Sequence, residues 1–533
     1  MELTMSTMRP LAKCAVKITG PRVSSPSNVC PLRSKIAARV PGGVRASRRF
    51  VVKAVASMPA ESDEISLMKR LLELAEERER NSSAPAPAAA EGDYSGPTFN
   101  IQTFNAISAV GLERYDNGSF GAGRYSISGD VSELPGEPMA IMLRSHKLQV
   151  DEVAPTVRAI ARCGAGTNNI PVAEMTELGI PVFNTPGANA NSVMELVMCA
   201  LLLTSRGILE GARHVEEVIV KEENGDHEKV AKRIEKDKSK FVGQELRGKT
   251  LGVIGLGQIG SRVVNAALAM GMKVVGYDPV LSVEAAWNLP GDRMTRATTL
   301  KELLSESDYL TIHVPYIKDV THHMLNAETI SYLKPNVHII NLARGEIVDG
   351  EIIASKYEDG TLTGKYISDF ADPFLQDHPR FITLPHLGAS TEEAEENAAA
   401  MAADEIMDFL ETGTIRNSVN FPNAIMEPKQ GAESARLCIV HKSTPGTLGK
   451  ITTCLGDLTL NITQQINVSR GSIAYTVIDM ETAPAEPDAM QNMIAAECDD
   501  IISTRFIGNP YTNELGTPGT YYYVPPTDWC SNV

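Results

Sequence analysis

From about Phe99 to residue 420, short apolar runs alternate with stretches whose apolar residues recur every three or four positions. AIMLRS (140–145), the start of VRAIARCGAGTNNI (157–170), LGVI, KVVGY, YLTIHV, VHIIN, KYISD and FITL have strand length and little polar alternation. Strands of that kind, separated by helical sequence, predict parallel sheets covered on both faces. NSVMELVMCALLLTSRGI (191–208) predicts a long apolar helix. Near residue 435 the pattern restarts as strand (RLCIVH), helix (TLGKITTCLGDL), a hairpin turning at Arg470–Gly471, helix (PDAMQNMIAAE) and strand (ISTRFI). That βαββαβ order over 433–508 predicts a ferredoxin-like domain. The chain therefore reads as α/β, with two Rossmann-like doubly wound lobes and a small C-terminal domain.

Composition adds boundaries. A chain of 533 residues exceeds what one core organises, and no apolar run approaches the length of a membrane span. A net charge of −16 argues against nucleic acid as a partner. Residues 1–57 depart from this, with eleven Lys or Arg against the single acid Glu2. They carry +10, so the remainder stands at −26. A Ser- and Arg-rich, acid-poor start reads as an organelle transit peptide, with a chloroplast favoured over a mitochondrion by its Ser, Pro and Val content. Residues 58–97 read as a short amphipathic helix and a Pro/Ala linker, 219–240 as a solvated charged insertion, and 509–533 as a disordered tail. The eight cysteines form no C-x-x-C pair, which excludes a zinc module or disulfide framework, and no metal is expected.

The chemistry begins at LGVIGLGQIG, where Gly255, Gly257 and Gly260 follow a strand and open a helix. Such glycines permit the tight turn, the approach of backbone to a pyrophosphate, and helix–strand contact. The N–H groups of Gln258 and Ile259 then face the phosphates at the positive helix end. Asp278 ends the next strand; a carboxylate there bonds a ribose diol and repels a 2′-phosphate, so the cofactor expected is NAD.

Four later loops, HVPYIKDVTHH, NLARGEIVD, SDFADP and LPHLGAST, turn polar directly after apolar runs. Ligands bind at such carboxyl ends of strands. Oxidation of a hydroxy acid needs a cation for its carboxylate, a base for the hydroxyl proton and a group that orients the base. Arg344, His386 and an aspartate of SDFADP fit by type and position; of ten histidines only His386 and His313 end buried strands next to other site loops.

Together GVIGLGQIG, HVPYIKDVTHHML, NLARGEIVD and LPHLGASTEEAEENAA resemble the D-isomer-specific 2-hydroxyacid dehydrogenases over about residues 98–425. FNTPGANANSVMELV and IRNSVNFPNAIME are similar to the branch that oxidises 3-phospho-D-glycerate with NAD at the entry to serine synthesis. The resemblance implies a substrate lobe at 98–200 and 392–422 around a nucleotide lobe at 201–391. It implies that Arg344 binds the substrate carboxylate, His386 takes the proton, and Gly164, Ala165 and Gly166 donate backbone N–H groups. Arg144 and Ser145 would meet the phosphorylated end, with Lys147 or His146 supplying a second cation where relatives have Arg-Ser-Arg, and Asn189 would help close the site. His313, Val314, Pro315, Thr321, Ala343, Asp369 and Gly388 would line the cofactor cleft. The family pattern D-V-F-x-x-E-P is shortened to Asp369-Phe370-Ala371-Asp372-Pro373, which leaves Asp372 to orient the histidine.

The C-terminal domain resembles ACT regulatory modules, with His441, Ser443 and Asn461 at ligand positions and L-serine as the implied effector; assembly alone is the other use of such a domain. The resemblance also implies assembly as a homodimer or homotetramer. Hydroxypyruvate or glyoxylate reduction, and NAD-sensing by a corepressor-like binding protein, are rival readings of the same lobes.

Overall fold

The computed structural model describes residues 99–116, 123–427 and 434–507, all within one compact unit. The transit peptide, the helix and linker of 58–97 and the tail from 509 lie outside the described residues.

The first sheet comprises β1 (Phe99–Phe104), β2 (Tyr125–Ser128), β3 (Ala140–Leu143), β4 (Ala159–Arg162) and β5 (Val182–Asn184), ordered β2-β1-β3-β4-β5 with all neighbours parallel. The second comprises β6 (Thr250–Ile254), β7 (Lys273–Tyr277), β8 (Thr295–Arg296), β9 (Tyr309–Ile312), β10 (His338–Asn341), β11 (Tyr366–Ser368) and β12 (Phe381–Thr383). Its parallel order β12-β11-β10-β9-β6-β7-β8 reverses direction between β6 and β9. That reversal opens a crevice at the carboxyl ends of the strands.

Four helices position the site: α1 (Ala109–Asp116), α2 (Ala190–Ser205), α3 (Gln258–Ala269) and α4 (Glu392–Thr412). Val193, Val197, Ala200 and Leu201 of α2, at helical spacing, share one core with Leu251, Val253, Val263 and Ala267. The helix thus packs in the nucleotide lobe, which moves the expected boundary at 200 back to the loop before Ala190. It stops at Ser205, three residues short of the periodic pattern, with Arg206 already extended.

Helix α4 returns to the first lobe. Its alanines 398, 399, 402 and 403, with Ile406 and Leu410, cover Phe99, Ile101, Ala140 and Met142. A Cβ on Gly111 of α1 would stand 2.3 Å from that of Ala399, so small residues on both helices are what allow this approach.

The third sheet, β13 (Ala435–Lys442), β14 (Ile462–Arg470), β15 (Ile473–Met480) and β16 (Ile501–Ile507), is antiparallel in the ferredoxin-like order β14-β15-β13-β16. Helices α5 (Thr447–Asp457) and α6 (Pro487–Glu497) cover one face, where Leu437 and Ile439 of β13 point. Cys438 and Val440 point the other way, into the core around α4. Two covered faces explain why RLCIVH shows no polar alternation.

The same sheet grips the end of α4. Arg505 donates to the carbonyls of Phe409 (2.6 Å) and Leu410 (3.3 Å), Arg436 to that of Thr412 (2.6 Å) and the Tyr475 hydroxyl to that of Gly413 (2.8 Å). These carbonyls lie in and just past the last turn of the helix, where two guanidinium ions suit the negative end of its dipole. The segment 219–240 is solvated along most of its length, as expected, and is organised around the buried Asp237, which accepts from Arg233 Nε (3.0 Å) and pairs with Lys240 (3.1 Å) and His214 (2.9 Å). Among the described residues no single helix is long and apolar enough to cross a membrane.

Candidate active site

The glycine loop sits at the end of β6. Gly255 has φ +88°, and a Cβ there would meet the His313 carbonyl oxygen at 2.6 Å and Val314 at 2.9 Å. A Cβ on Gly260 would lie 2.0 Å from the Gly255 oxygen, whereas one on Gly257 would meet nothing within 4 Å. Two glycines therefore serve close packing, and the third opens a cradle before the N-terminus of α3, where Gln258 and Ile259 begin the helix. Asp278, after β7, accepts the N–H of Leu256 (2.9 Å) and of Val280 (3.0 Å), which fixes its carboxylate beside the loop. This fits a dinucleotide: the cradle for its pyrophosphate and Asp278 for the adenosine ribose.

Around the cleft, burial pushes the His313 imidazole down to about 3, so it is neutral, with Nε2 2.9 Å from the Thr311 hydroxyl. The expected contact of Thr321 with cofactor is not what its hydroxyl does. It is buried, donates to the Pro315 carbonyl (2.7 Å) and accepts the Ile317 N–H (2.6 Å), so it clasps the 315–321 loop. Ala343 is held by Asn341 Oδ1 (3.2 Å) and accepts from Arg344 Nη1 (2.7 Å).

His386 is exposed in the loop after β12, its ring edge-on to Phe370 with centroids 4.8 Å apart. The aspartate beside it is Asp369, not Asp372. Asp369 is 4% exposed, and neither of its oxygens has a hydrogen-bond partner of good geometry among the described residues. Burial raises its pKa, and the charges of His386 and Arg344 act against that rise. Asp372 accepts the Phe374 N–H (2.9 Å), and its carboxylate lies where a Cβ on Gly350 would stand, 1.9 Å away. A loop two residues shorter than the family pattern turns Asp372 toward the helix Gly350–Glu358 and away from the imidazole. Gly388 packs against Asp369 and Val193, and its carbonyl accepts the Ser192 hydroxyl (2.8 Å), tying the histidine loop to α2. Asn189 precedes α2, and its carbonyl accepts the same hydroxyl (2.9 Å).

Opposite, the first lobe contributes Gly164, Ala165 and Gly166. A Cβ on Gly166 would stand 3.8 Å from Arg344 Nη2 and 3.9 Å from Arg162 Nη1, so the two arginines converge on this loop. Gly164 has φ +151° and no room for a side chain above the Arg162 guanidinium. The Ala165 carbonyl accepts from Asn184 (2.5 Å).

Arg162 escapes a motif search because it sits inside the apolar run of β4; its place as the last strand residue before a glycine turn was the available signal. Burial lowers its pKa, and the like charges of Arg144 and Arg344 add to this. It stands beside Arg144, where a second cation was expected from His146 or Lys147. His146 is instead paired with Glu152 (3.0 Å) and stacked on Phe104 at 4.4 Å, and Lys147 is exposed. Asn105, also missed, stands at φ +67° after β1 and accepts the N–H groups of Ser145 (3.1 Å) and His146 (2.6 Å), fixing the turn that presents Arg144.

The three C-terminal ligand positions are not gathered within the chain. His441 is buried, with Nδ1 on the Lys442 carbonyl (2.8 Å) and Nε2 on the Thr476 hydroxyl (2.8 Å). Its ring is used inside the sheet. Register pairs His441 with Ala474, at one end of β15, while Asn461 precedes Ile462, which pairs with Met480 at the other. Ser443 is exposed beside His441.

Residues 206–388 match the family model for the D-isomer specific 2-hydroxyacid dehydrogenase NAD binding domain. The chain is 33% identical over 403 residues to a D-3-phosphoglycerate dehydrogenase of Haemophilus influenzae, covering 73% of this chain and 90% of that one. It is 32% identical over 369 residues to the protein of that name from Escherichia coli K12, covering 67% and 83%. Among solved structures, a D-lactate dehydrogenase from Treponema pallidum shares the fold with a TM-score of 0.50 at 24% identity, over 60% of this chain and 99% of that one.

Proposed function

Since the chain belongs to the D-isomer specific 2-hydroxyacid dehydrogenases, and is an NAD-dependent dehydrogenase, we propose that its substrate is 3-phospho-D-glycerate, oxidised to 3-phosphohydroxypyruvate at the first step of the phosphorylated route to L-serine. The observation that carries this reading is a cluster of three arginines: Arg162 and Arg344 converge on the glycine loop, and Arg144, whose carbonyl accepts from Arg162 Nε (3.1 Å), adds its charge beside Arg162. A 2-hydroxy monoacid needs one of them; a substrate with a carboxylate at one end and a phosphate at the other uses all three.

Arg344, on the nucleotide lobe, holds the substrate carboxylate and polarises the carbon–oxygen bond, with the N–H groups of Ala165 and Gly166 as further donors; that of Gly164, also expected to donate, goes to the Arg162 carbonyl (2.8 Å). His386 takes the hydroxyl proton. Bound NAD would supply the acceptor for the hydride of the same carbon, so that 2-hydroxy acid and NAD would balance with 2-oxo acid, NADH and one proton. Asp369 stabilises the imidazolium that forms, and its unpaired oxygens suit the nicotinamide carboxamide as well. The test is NADH formation from 3-phospho-D-glycerate set against D-glycerate, and against reduction of glyoxylate and hydroxypyruvate. Higher kcat/KM on the unphosphorylated acids would replace this reading with a reductase.

Self-association is part of the same proposal. Leu202, Ile208, Val220, Ile234 and the almost fully exposed Val242 leave α2 and the segment after it with apolar side chains in water, an excess that a second copy would cover. Sedimentation of the wild type and of Val242→Asp tests it. Placement in the chloroplast, with the mitochondrion as alternative, rests on residues 1–57 and is tested by the location of a fluorescent fusion. L-serine as an effector of an ACT-like domain is tested by assay with and without serine; with His441 turned inward, the groups left to meet it are Ser443 and Asn461.

A further inference from the structure

Arg144 holds an anion of the protein's own. Its guanidinium is paired fork to fork with Glu395, Nη1 to Oε2 at 2.8 Å and Nη2 to Oε1. Both groups are partly exposed and lie at the edge of the three-arginine cluster. The backbone around Arg144 is fixed: its carbonyl accepts from Arg162 Nε (3.1 Å) and Asn169 Nδ2 (3.2 Å), and Asn105 holds the two following N–H groups. What is left free to exchange is the contact between the two side chains.

We infer that Glu395 competes with the substrate's phosphate for Arg144 and so sets how much negative charge a substrate must carry at its far end. The inference rests on the reading of the substrate as a phosphorylated 2-hydroxy acid. A phosphate monoester offers the same bidentate geometry as a carboxylate with nearly twice the charge, and Arg162 stands ready to share it. The exchange strands nothing. Glu395 lies in the first turn of α4, behind the Thr391 cap, where the helix dipole favours an anion even without Arg144. A substrate with a neutral far end cannot open the pair and leaves Glu395 in place. Among the described residues Glu395 is the carboxylate ion-paired within this cluster, and it comes from the helix that starts directly after the histidine loop. The far end of the substrate is therefore read by the helix that follows His386.

The experiment is steady-state kinetics of Glu395→Gln, which keeps shape and removes charge, on the full chain with NAD. With 3-phospho-D-glycerate, KM falls by about two- to five-fold, the range expected for an exposed pair, while kcat holds. Inorganic phosphate inhibits more tightly by the same factor, and KM for D-glycerate does not move. A KM for the phosphorylated substrate that rises would make Glu395 a support for Arg144 and overturn the inference. So would an unchanged KM, or an equal fall for D-glycerate. A wild type without preference for the phosphorylated acid would overturn the substrate reading, and this inference with it.

Discussion

The charge of the His386 imidazole acts on the buried carboxylate of Asp369 at the carboxyl ends of β11 and β12, while Asp372, three residues along, accepts the Phe374 N–H. When His386 takes the substrate proton, the imidazolium that forms has the Asp369 carboxylate as its counter-charge. Asp369→Asn should therefore lower kcat by about tenfold or more. Asp372→Asn should leave kcat near the wild-type value. A loss that follows Asp372 and spares Asp369 would reverse the assignment.

Asp278 braces the glycine turn, accepting two backbone N–H groups at its mouth, where an adenosine ribose would meet it. Asp278→Ala should raise KM for NAD about tenfold or more, on the order of one charge-assisted hydrogen bond, and raise that for NADP less. Titration of each cofactor by fluorescence quenching checks it.

Both parallel sheets and the C-terminal domain were legible because most of their strands are buried on two faces, and continuous apolar runs are what that demands; β2, β8 and β14 are not so buried and show no such run. The glycine fingerprint, Arg344 and His386 were legible because loop chemistry interrupts those runs abruptly. Asp369 and Asp372 were not told apart: both are acids near a strand end, and only the path of the shortened loop decides which faces the imidazole. Arg162 hid for the opposite reason, as a charged residue in an otherwise apolar strand whose side chain turns under Gly164. Helix α2 was found but placed in the wrong lobe, because periodicity gives a helix its apolar face and says nothing of what covers it.

Glu405 on α4 makes stability depend on pH. It is buried, accepts from Asn417 (2.7 Å), and burial pushes its carboxyl up to about 8. The folded chain thus keeps a proton that the unfolded chain releases near pH 4, so this contribution is whole below about pH 4 and is lost as pH rises toward about 8, by up to about 1.4 kcal/mol per unit. Glu405→Gln should flatten the fall in Tm between pH 5 and 8 and exceed the wild type at the upper end. Parallel melting curves for the two proteins would argue against a neutral Glu405.

The grip on α4 by the third sheet should be worth a measurable part of the fold. Arg505→Met removes the guanidinium that lies over the Phe409 ring and donates to two helix carbonyls. Losing these charge-assisted contacts should cost about 1–3 kcal/mol, read as a lower denaturation midpoint. An unchanged midpoint would mean that water replaces the guanidinium at no cost.

The account stands or falls on recognition of the substrate's phosphate by Arg144 and Arg162. The direct measurement is the ratio of kcat/KM for 3-phospho-D-glycerate to that for D-glycerate, with NAD, in the wild type and in Arg162→Met. A wild-type ratio of about 100 or more, falling at least about tenfold in the variant while D-glycerate turnover holds, is the result expected from losing one charge-assisted contact. A wild-type ratio near one, or a ratio that Arg162→Met leaves unchanged, would contradict it.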